Sequence, residues 1–330
     1  MRELSILGAG SWGTALAIVL APRFVRVRLW SHDTGLADVV GLSRENTAYL
    51  PGFRLPDNVE LTDDLAHALE ETNIVLLVAP SQHLRTVLRR SLPFLTADML
   101  FVVATKGLET GSLERMSEIV IGECPFDAKV ATLSGPTFAK EIAKGEPTAV
   151  VIASPDQDLA ATVQGAFSGP TFRLYTNADQ IGVELGAALK NVIAIGAGIC
   201  EGLGLGHNPV AALVTRGLAE ITRLAVAAGG QAKTLSGLAG LGDLVLTCTG
   251  DLSRNRRVGV ELGKGRSLAV ILAATNMIAE GVETTFAAVD LAAKLGVEMP
   301  ITAQMNLVLR DGKAPQEAIR YLMERSLRSE

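Results

Sequence analysis

One lysine stands in the middle of an otherwise almost apolar stretch of the chain. In the run from Val183 to Ile195, Lys190 is the single cation. An ammonium buried in such a helix is costly unless a partner holds it or it releases its proton, and proteins prepare lysines for general acid or base catalysis in this way. The alternative is a lysine at the edge of the core whose ammonium reaches water. The pattern makes Lys190 the first candidate for proton transfer.

Downstream, a glycine-rich turn carries a single carboxylate and is followed by a short basic cluster. Asp243 could hold a lysine in place, while Arg254 with its neighbours Ser253 and Asn255 presents the donors that grip a phosphate. Without other information such a cluster is more typical of a solvated helix start. Glu280 precedes a glycine at another predicted helix start, where capping is the simpler interpretation.

Two further candidates follow predicted strands in the first half of the chain. Lys106 comes directly after one strand, which places it at the sheet edge where open α/β proteins bind ligands. The next strand ends in a turn, 134–137, that leads into a helix and could present N–H groups to an anion. A surface lysine and an ordinary helix start remain the alternatives.

A Gly-x-Gly-x-x-Gly motif opens the chain. It follows the apolar run 4–7 and begins a predicted helix over 14–20, which is the context of a dinucleotide-binding fingerprint. Gly8 would permit a tight turn, Gly10 the approach of a pyrophosphate, and Gly13 close helix packing. The helix N-terminus offers free N–H groups to that anion. A glycine turn that binds nothing, or a flavin dinucleotide, stays open at this point.

The end of the second strand bears on the choice between NAD and NADP. A carboxylate there binds the ribose hydroxyls of NAD, whereas a basic residue accommodates the extra phosphate of NADP. The strand ends at Trp30, His32 follows, and Asp33 arrives later than an ideal ribose ligand. We predict NADPH use with tolerance of NADH, although His32 could equally be a solvated loop residue.

These candidates need a sheet and a helical region to position them. Six predicted strands alternate with helical segments and imply a mainly parallel sheet covered on both faces. The strands are 4–7, 25–30, 74–78, 100–104, 130–133 and 149–152. Beyond about Asp179 the patterning is helical, over 183–200, 211–228, 279–295 and 315–327. We therefore predict a dinucleotide-binding domain over 1–180 and a helical substrate and catalytic domain over 181–330, with a cleft between them.

Composition excludes several classes of protein. The 330 residues are 48% hydrophobic and 20% charged, which is typical of a globular chain. A net charge of −5 and 4% aromatic residues argue against a nucleic-acid surface. The start of the chain lacks a secretory pattern and no run of about 18 uninterrupted apolar residues occurs, so we expect a cytoplasmic protein that does not insert in membranes. Three scattered cysteines, Cys124, Cys200 and Cys248, are expected to be free thiols, without metal-ligand spacing.

Taken together in chain order, seven motifs resemble the bacterial NAD(P)-dependent glycerol-3-phosphate dehydrogenase family. They are Gly8-Ala-Gly-Ser-Trp-Gly-Thr-Ala15, Asn46 with Tyr49-Leu-Pro51, Thr105-Lys-Gly107, Ser134-Gly-Pro136, Glu184 with Lys190-Asn191, Gly237-Leu-Ala-Gly-Leu-Gly-Asp243, and Ser253-Arg-Asn255. The resemblance covers nearly the whole chain. It implies an α/β Rossmann-like N-terminal domain with a mainly parallel sheet and an all-α C-terminal domain of the 6-phosphogluconate-dehydrogenase-like kind.

The resemblance also implies roles for individual residues. Lys190 matches the family's catalytic lysine, and Lys106 and Asp243 would assist it. The positions that match cofactor contacts are Gly8, Gly10, Ser11, Trp12, Gly13, His32, Tyr49, Lys106, Ala139, Arg254, Ile278 and Glu280. Those that match substrate contacts are Lys106, Gly135, Thr137, Lys190, Asp243, Ser253, Arg254 and Asn255. His32 stands where many relatives have arginine, and Thr137 where many have serine.

The activity implied is reversible reduction of dihydroxyacetone phosphate to sn-glycerol 3-phosphate with NADP(H) or NAD(H), for phospholipid biosynthesis. Apolar helices in the second half leave room for a homodimer. Two other readings stay open. One is a hydroxy-acid dehydrogenase of similar architecture, acting on 3-hydroxyisobutyrate, 6-phosphogluconate or ketopantoate. The other is a non-catalytic dinucleotide sensor, which would not need Lys190.

Overall fold

The computed structural model describes residues 3–274 and 279–326. Contacts between Cα atoms divide the chain into two compact units. The first comprises Met1–Lys106 and Glu114–Val183, and the second comprises Gly107–Leu113 and Glu184–Glu330. The functional division predicted at 180/181 remains a prediction.

The first unit is built on one sheet of eight strands in the order β3-β2-β1-β4-β5-β6-β7-β8. The strands are β1 (Glu3–Leu7), β2 (Arg26–Trp30), β3 (Val59–Thr62), β4 (Ile74–Leu77), β5 (Leu100–Val103), β6 (Lys129–Ser134), β7 (Thr148–Ala153) and β8 (Phe172–Asn177). Neighbouring strands are parallel except β6 and β7, which are antiparallel. The predicted Rossmann-like, mainly parallel architecture is confirmed.

Helices cover both faces of this sheet. They are α1 (Ser11–Leu20), α2 (Leu36–Ser43), α3 (Leu65–Leu69), α4 (Leu84–Ser91), α5 (Met116–Glu123), α6 (Ala139–Ala143) and α7 (Gln157–Phe167). Successive residues of a strand face opposite sides, so Leu76 and Val102 join one apolar cluster while Leu77 and Phe101 join the other. The central strands are therefore apolar on both faces, which is the signal by which the sequence revealed them.

Two strands, β3 and β8, were missed by the sequence pattern, and both lie at an end of the strand order. An edge strand pairs with a neighbouring strand on one side only, and it commonly carries polar and exposed side chains. These side chains weaken the apolar pattern by which strands are recognised. Glu60 in β3 and Arg173 in β8, for example, are exposed. A continuous apolar run is a good predictor of central strands and a poor predictor of edges.

The described part of the second unit that follows Val183 is helical, with connecting turns, and its first helix begins earlier in the chain, at Gln180. Its helices are α8 (Gln180–Gly202), α9 (His207–Ala227), α10 (Ala232–Leu235), α11 (Asp243–Thr249), α12 (Arg254–Gly263), α13 (Leu268–Ala273), α14 (Glu280–Leu295), α15 (Pro300–Asp311) and α16 (Pro315–Met323). The four helices predicted in this half correspond to α8, α9, α14 and α16, and the last predicted residue, Leu327, lies outside the described residues.

Helix α8 is the buried axis of the helical region. Every residue from Gly182 to Cys200 is buried. Among the described helices it is the one whose length and apolar composition would suffice to cross a membrane, and its apolar window lies wholly inside the protein. A long core helix meets the same two criteria, and Glu184 and Lys190 interrupt the apolar run.

The backbones of α8 and α12 are in direct contact. Four glycines line this contact: Gly198 and Gly202 on α8, and Gly259 and Gly263 on α12. A Cβ added at Gly198 would lie 1.9 Å from the carbonyl oxygen of Arg256, and one added at Gly259 would lie 2.0 Å from that of Ile195. Such distances leave no space for a side chain, so the start of α12 is held firmly beside α8.

Candidate active site

The glycine turn after β1 has the geometry that the motif predicts. Gly8 has a φ of +130°, and a Cβ there would lie 2.8 Å from the carbonyl carbon of Val78. A Cβ at Gly13 would lie 1.9 Å from the carbonyl oxygen of Gly8, whereas a Cβ at Gly10 would meet nothing within 4 Å. Gly8 and Gly13 are thus required by packing. Gly10 instead leaves open space in front of the helix.

The N-terminus of α1 faces that space without a side-chain cap. Gly10 is the N-cap residue, and the first turn contains no acidic side chain. The hydroxyl of Ser11 donates to the carbonyl of Tyr49 at 2.6 Å, so it does not cap the helix either. The indole Nε1 of Trp12 is buried without a hydrogen-bond partner among the described residues. Open N–H groups at a positive helix end and a gap that a side chain would fill fit the pyrophosphate of a dinucleotide.

Asn46 ties the following loop to this turn. Its Nδ2 donates to the carbonyl of Ala9 and to the hydroxyl of Thr14, both at 2.9 Å, and its side chain is fully buried. These bonds hold the segment that carries Tyr49 against the start of α1. The sequence motif included Asn46, but only the fold shows what it holds.

The loop after β2 uses its own polar groups to form a turn. The backbone N–H of Asp33 donates to the hydroxyl of Ser31 at 3.1 Å, and the Asp33 carboxylate accepts from the N–H of Gly35 at 3.2 Å. The carboxylate is therefore engaged within its own loop, while the neighbouring His32 is exposed. This arrangement agrees with the interpretation that Asp33 is not an ideal ribose ligand.

Lys106 meets the second predicted turn. Its Nζ donates to the carbonyl of Gly135 at 3.1 Å and to the hydroxyl of Thr137 at 3.2 Å. Gly135 has a φ of +147°, and a Cβ there would lie 2.9 Å from the Cα of Val150, so only glycine fits. The structure thus brings together three residues predicted from two separate motifs. Ala139, also predicted, begins α6 and packs against the core of the first unit.

In the second unit Lys190 is buried and paired. Its Nζ donates to Oδ1 of Asp243 at 2.6 Å and to the hydroxyl of Thr247 at 2.8 Å. Thr247 in turn donates to the Asp243 carbonyl at 2.6 Å. Lys190 is 5% exposed and Asp243 0%, which rules out a lysine whose ammonium reaches solvent. No sequence motif assigned a role to Thr247, whose one-turn spacing from Asp243 is its only sequence signal.

A buried thiol lies close to this pair. Burial raises the pKa of Cys248 to about 12, opposed by the Lys190 ammonium and reinforced by the Asp243 carboxylate. Burial likewise raises the pKa of Cys124, to about 11, and that of Cys200. All three cysteines are free, as predicted. Thiols held protonated in this way are unreactive.

The glycine-rich turn predicted before Asp243 is a π-helical turn, and Asp243 follows it as the first residue of α11. Residues Leu238–Gly242 form this turn, and the N–H of Gly242 donates to the carbonyl of Gly237 at 3.1 Å. A Cβ at Gly240 would lie 2.1 Å from the carbonyl oxygen of Leu235, so the glycine serves close packing. π-Helical turns are rare and are frequently found at functional sites.

The basic cluster lies at the start of α12. Some of its side chains fix the start of the helix, while Arg254 makes no such contact among the described residues. The hydroxyl of Ser253 caps the helix by accepting from the N–H of Arg256 at 3.2 Å. The Arg256 side chain is held by Asp251 at 3.0 Å and by Glu201 at 2.5 Å. Asn255 is buried, and its Oδ1 accepts from the N–H of Gly281 at 3.0 Å. These contacts fix the helix start.

Arg254 is left exposed at that helix start. Within residues 3–274 and 279–326 its guanidinium has no hydrogen bond or ion pair. Although part of the side chain is exposed, the protein atoms around it partly desolvate the guanidinium and lower the pKa of Arg254; the carboxylate of Glu280, the first residue of α14, opposes that shift. A guanidinium stays charged in any protein environment, so Arg254 offers free donors to an anion. Ile278, the other predicted contact in this region, lies outside the described residues.

Comparison with known proteins identifies the family to which these features belong. Residues 3–160 match the model of the NAD-dependent glycerol-3-phosphate dehydrogenase N-terminus, and residues 179–320 match that of its C-terminus. The glycine turn and the Lys106 cluster lie in the first match, and the Lys190 pair and Arg254 lie in the second.

Individual relatives agree over the full chain. The chain is 58% identical to the glycerol-3-phosphate dehydrogenase [NAD(P)+] of Koribacter versatilis, covering 98% of each chain. It is 51% identical to that of Citrifermentans bemidjiense, covering 100% of this chain and 99% of the relative. The crystal structure of glycerol-3-phosphate dehydrogenase from Coxiella burnetii superposes with a TM-score of 0.94 at 42% identity, covering 98% and 99%. The chain therefore belongs to the NAD-dependent glycerol-3-phosphate dehydrogenase family.

Proposed function

We propose that this protein reduces dihydroxyacetone phosphate to sn-glycerol 3-phosphate with NADPH or NADH, reversibly. The observation that carries the proposal is the buried contact of 2.6 Å between Nζ of Lys190 and Oδ1 of Asp243. A structural protein or a nucleotide sensor has no use for a desolvated ammonium held at a fixed point. A ketone reductase needs one, because the carbonyl oxygen must receive a proton.

The balance of the reaction defines what Lys190 does. NAD(P)H, when bound, would supply the hydride for the new C–H bond at the carbonyl carbon, and the C=O π pair would move to the oxygen. Lys190 donates its Nζ proton to that oxygen to complete the alcohol, and it recovers a proton from solvent. Asp243 and Thr247 hold the Nζ atom in position, and the Asp243 carboxylate favours the protonated form before transfer.

Lys106 has a different part in this proposal. Its ammonium, fixed by Gly135 and Thr137, would bind the substrate and the cofactor and add positive charge where the alkoxide develops. Because it is already fixed by hydrogen bonds, little reorganisation is needed during reaction. Thr137 is a mild change from serine, since its hydroxyl makes the same kind of contact.

The substrate phosphate is assigned to the start of α12. Its basic side chains Arg254, Arg256 and Arg257 crowd the positive end of the helix, and the first turn has no acidic residue. Cations are disfavoured at a helix N-terminus because they repel its positive end, so a bound phosphate dianion would offset this electrostatic repulsion. Arg254 would be the main anchor, with Ser253 and Asn255 beside it.

The cofactor contacts proposed are those that the family motifs indicate: Gly8, Gly10, Ser11, Trp12, Gly13, His32, Tyr49, Lys106, Ala139, Arg254, Ile278 and Glu280. The open space at Gly10 and the uncapped α1 N-terminus support the pyrophosphate part. The engaged carboxylate of Asp33 supports acceptance of NADPH as well as NADH.

In the cell the product would feed phospholipid biosynthesis. We place the enzyme in the cytoplasm without membrane insertion, because the sequence shows neither a secretory pattern nor a run of about 18 uninterrupted apolar residues. A net charge of −5 with 4% aromatic residues argues against nucleic-acid partners. A homodimer is compatible with the apolar side chains that the second unit leaves exposed, among them Leu241, Val245 and Leu272.

The test is cofactor oxidation by the purified protein with dihydroxyacetone phosphate, run in parallel with NADPH and NADH. Turnover with either cofactor supports the proposal. Turnover with a hydroxy acid's oxo form instead would reassign the enzyme to that class of dehydrogenase. Dinucleotide binding without turnover on any of these substrates would point to a sensor.

A further inference from the structure

One glycine of α8 packs against the π-helical turn that presents Asp243. A Cβ added at Gly186 would lie 2.9 Å from the carbonyl oxygen of Ala239 and 3.0 Å from Cδ1 of Leu235. Gly186 precedes Lys190 by one helical turn, so both face the same side of α8. The contact and the Lys190–Asp243 bond therefore lie on the same face.

We infer that Gly186 is a positioning residue for the reaction: its missing side chain sets how closely α8 approaches the turn, and thereby the distance from Lys190 to Asp243. This inference rests on the proposed function. A Cβ atom at residue 186 would lie 2.9 Å from the Ala239 carbonyl oxygen, whereas an ordinary van der Waals contact between such atoms is about 3.4 Å or longer. A methyl group at 186 would have to push either the turn or the helix away.

Neither the turn nor the helix can give way freely. The turn is itself packed without free space, because a Cβ at Gly240 would lie 2.1 Å from the Leu235 carbonyl oxygen. On its other sides α8 is held by α12 at Gly198 and by α14, where a Cβ at Gly281 would lie 2.8 Å from the Asn191 carbonyl oxygen. The displacement would therefore change the distance between Lys190 and Asp243.

The test is the Gly186→Ala variant. Dinucleotide titration counts the cofactor-binding sites in the sample, and kcat is calculated for each of these sites. We expect kcat to fall about 10- to 100-fold, since small misplacements of a catalytic group cost this much. The KM values for dihydroxyacetone phosphate and for the dinucleotide should stay within about twofold, because Arg254 and the glycine turn at 8–13 are untouched. A merely structural role would lower the number of sites and leave kcat for each site unchanged.

Gly196→Ala is the matched control on the same helix. A Cβ there would meet only flexible side chains, Cδ2 of Leu213 at 3.1 Å and Sδ of Met305 at 3.5 Å, so kcat should be normal. Normal kcat in folded Gly186→Ala, or an equal loss of kcat in Gly186→Ala and Gly196→Ala, overturns the inference.

If Gly186→Ala does not fold, Leu235→Val is the variant to test. It loosens the same contact and should lower kcat severalfold, and an unchanged kcat overturns the inference. A wild-type protein that does not reduce dihydroxyacetone phosphate would refute the proposed function instead.

Discussion

The Nζ atom of Lys190 lies 2.6 Å from Oδ1 of Asp243, in a region where the two residues are 5% and 0% exposed. Burying two charges costs several kcal/mol for each ion, and the pair returns this only when geometry and additional hydrogen bonds are good. Thr247 supplies one such bond. A protein that needed only stability would be served as well by apolar side chains, so this pair points to chemistry.

Lys190→Ala should abolish turnover while dinucleotide binding is retained. Loss of a general acid typically costs about 10²- to 10⁴-fold in rate, and the glycine turn does not depend on this side chain. The variant leaves the Asp243 carboxylate buried and unpaired, which can cost about 3–5 kcal/mol of stability. Turnover and dinucleotide affinity measured below the melting temperature decide the outcome.

The fold control for that variant is Lys190→Met combined with Asp243→Asn, which removes both charges and keeps the volumes similar. It should melt closer to the wild type and still be inactive. Near-normal turnover in either variant would refute the assignment of Lys190 as proton donor.

Arg254→Ala should raise the KM for dihydroxyacetone phosphate far more than it changes KM for the cofactor. A charge-assisted hydrogen bond contributes about 1.5–3 kcal/mol, which corresponds to a 10- to 100-fold loss of phosphate affinity. Arg266→Ala, which removes a surface partner of Glu261, is the control for lost positive charge. Unchanged substrate kinetics in Arg254→Ala would remove the phosphate anchor from the proposal.

Some parts of this site could be predicted from the sequence because their signals are local. The glycine turn combines a strand, a fixed spacing and a helix within the first 20 residues. Lys190 was visible because one cation interrupts an apolar helix that is buried all round. In both cases the neighbours along the chain already define the environment.

The remainder depends on packing between distant segments. Lys190 and Asp243 are 53 residues apart, and nothing in either segment specifies their distance. The π-helical turn, the part played by Thr247 and the close approach at Gly186 all follow from how α8 meets residues 235–247. The edge strands β3 and β8 were missed for a related reason, since neighbouring strands and not local apolar runs hold them in the sheet.

Gly10→Ala and Gly13→Ala should separate cofactor binding from folding. Gly10 has φ −70° and ψ −177°, which any residue adopts, and a Cβ there meets nothing, so Gly10→Ala should fold normally. It should nevertheless bind NADPH and NADH at least about tenfold more weakly, because the methyl group occupies the space proposed for the pyrophosphate. Dinucleotide titration by fluorescence measures this.

Gly13→Ala is the opposite case within the same motif. Its Cβ would lie 1.9 Å from the carbonyl oxygen of Gly8, so the free energy of unfolding of the variant should fall by about 1–3 kcal/mol or more. Thermal denaturation distinguishes the two. Normal dinucleotide affinity in Gly10→Ala would show that the pyrophosphate does not lie at this turn.

Stability at low pH should depend on Glu123 at the end of α5. Hydrogen bonds from Arg89 are the main cause that lowers the pKa of Glu123 from 4.5 to about 2, with burial opposing and Arg85 assisting. A carboxyl group with a depressed pKa stabilises the fold above its unfolded pKa, and this contribution is lost as the pH falls through the folded value. The loss should therefore occur between pH 4.5 and about 2.

Glu123→Gln should lower the free energy of unfolding at pH 7 by about 1 kcal/mol, the upper end of what ion pairs at the surface contribute, because the Arg89 side chain is largely exposed. The difference from the wild type should narrow as the pH falls from 4.5 toward 2. Denaturant titrations across this range measure it, with Glu317→Gln as the control for an exposed carboxylate whose nearest arginine nitrogen is 4.0 Å away. A difference that is independent of pH would contradict the assignment.

His32→Arg should shift cofactor preference toward NADPH. His32 is exposed beside the Asp33 turn, whose carboxylate is engaged with the N–H of Gly35, so a guanidinium at 32 would meet an added phosphate without a competing charge directed at it. One such bond corresponds to an increase of about tenfold in the ratio of kcat/KM with NADPH to that with NADH. His207→Arg, at an exposed position on α9, should leave the ratio unchanged because it alters net charge alone. If both variants change the ratio equally, or neither does, residue 32 does not contact the 2′-phosphate, and the choice between NADPH and NADH is made elsewhere on the first unit.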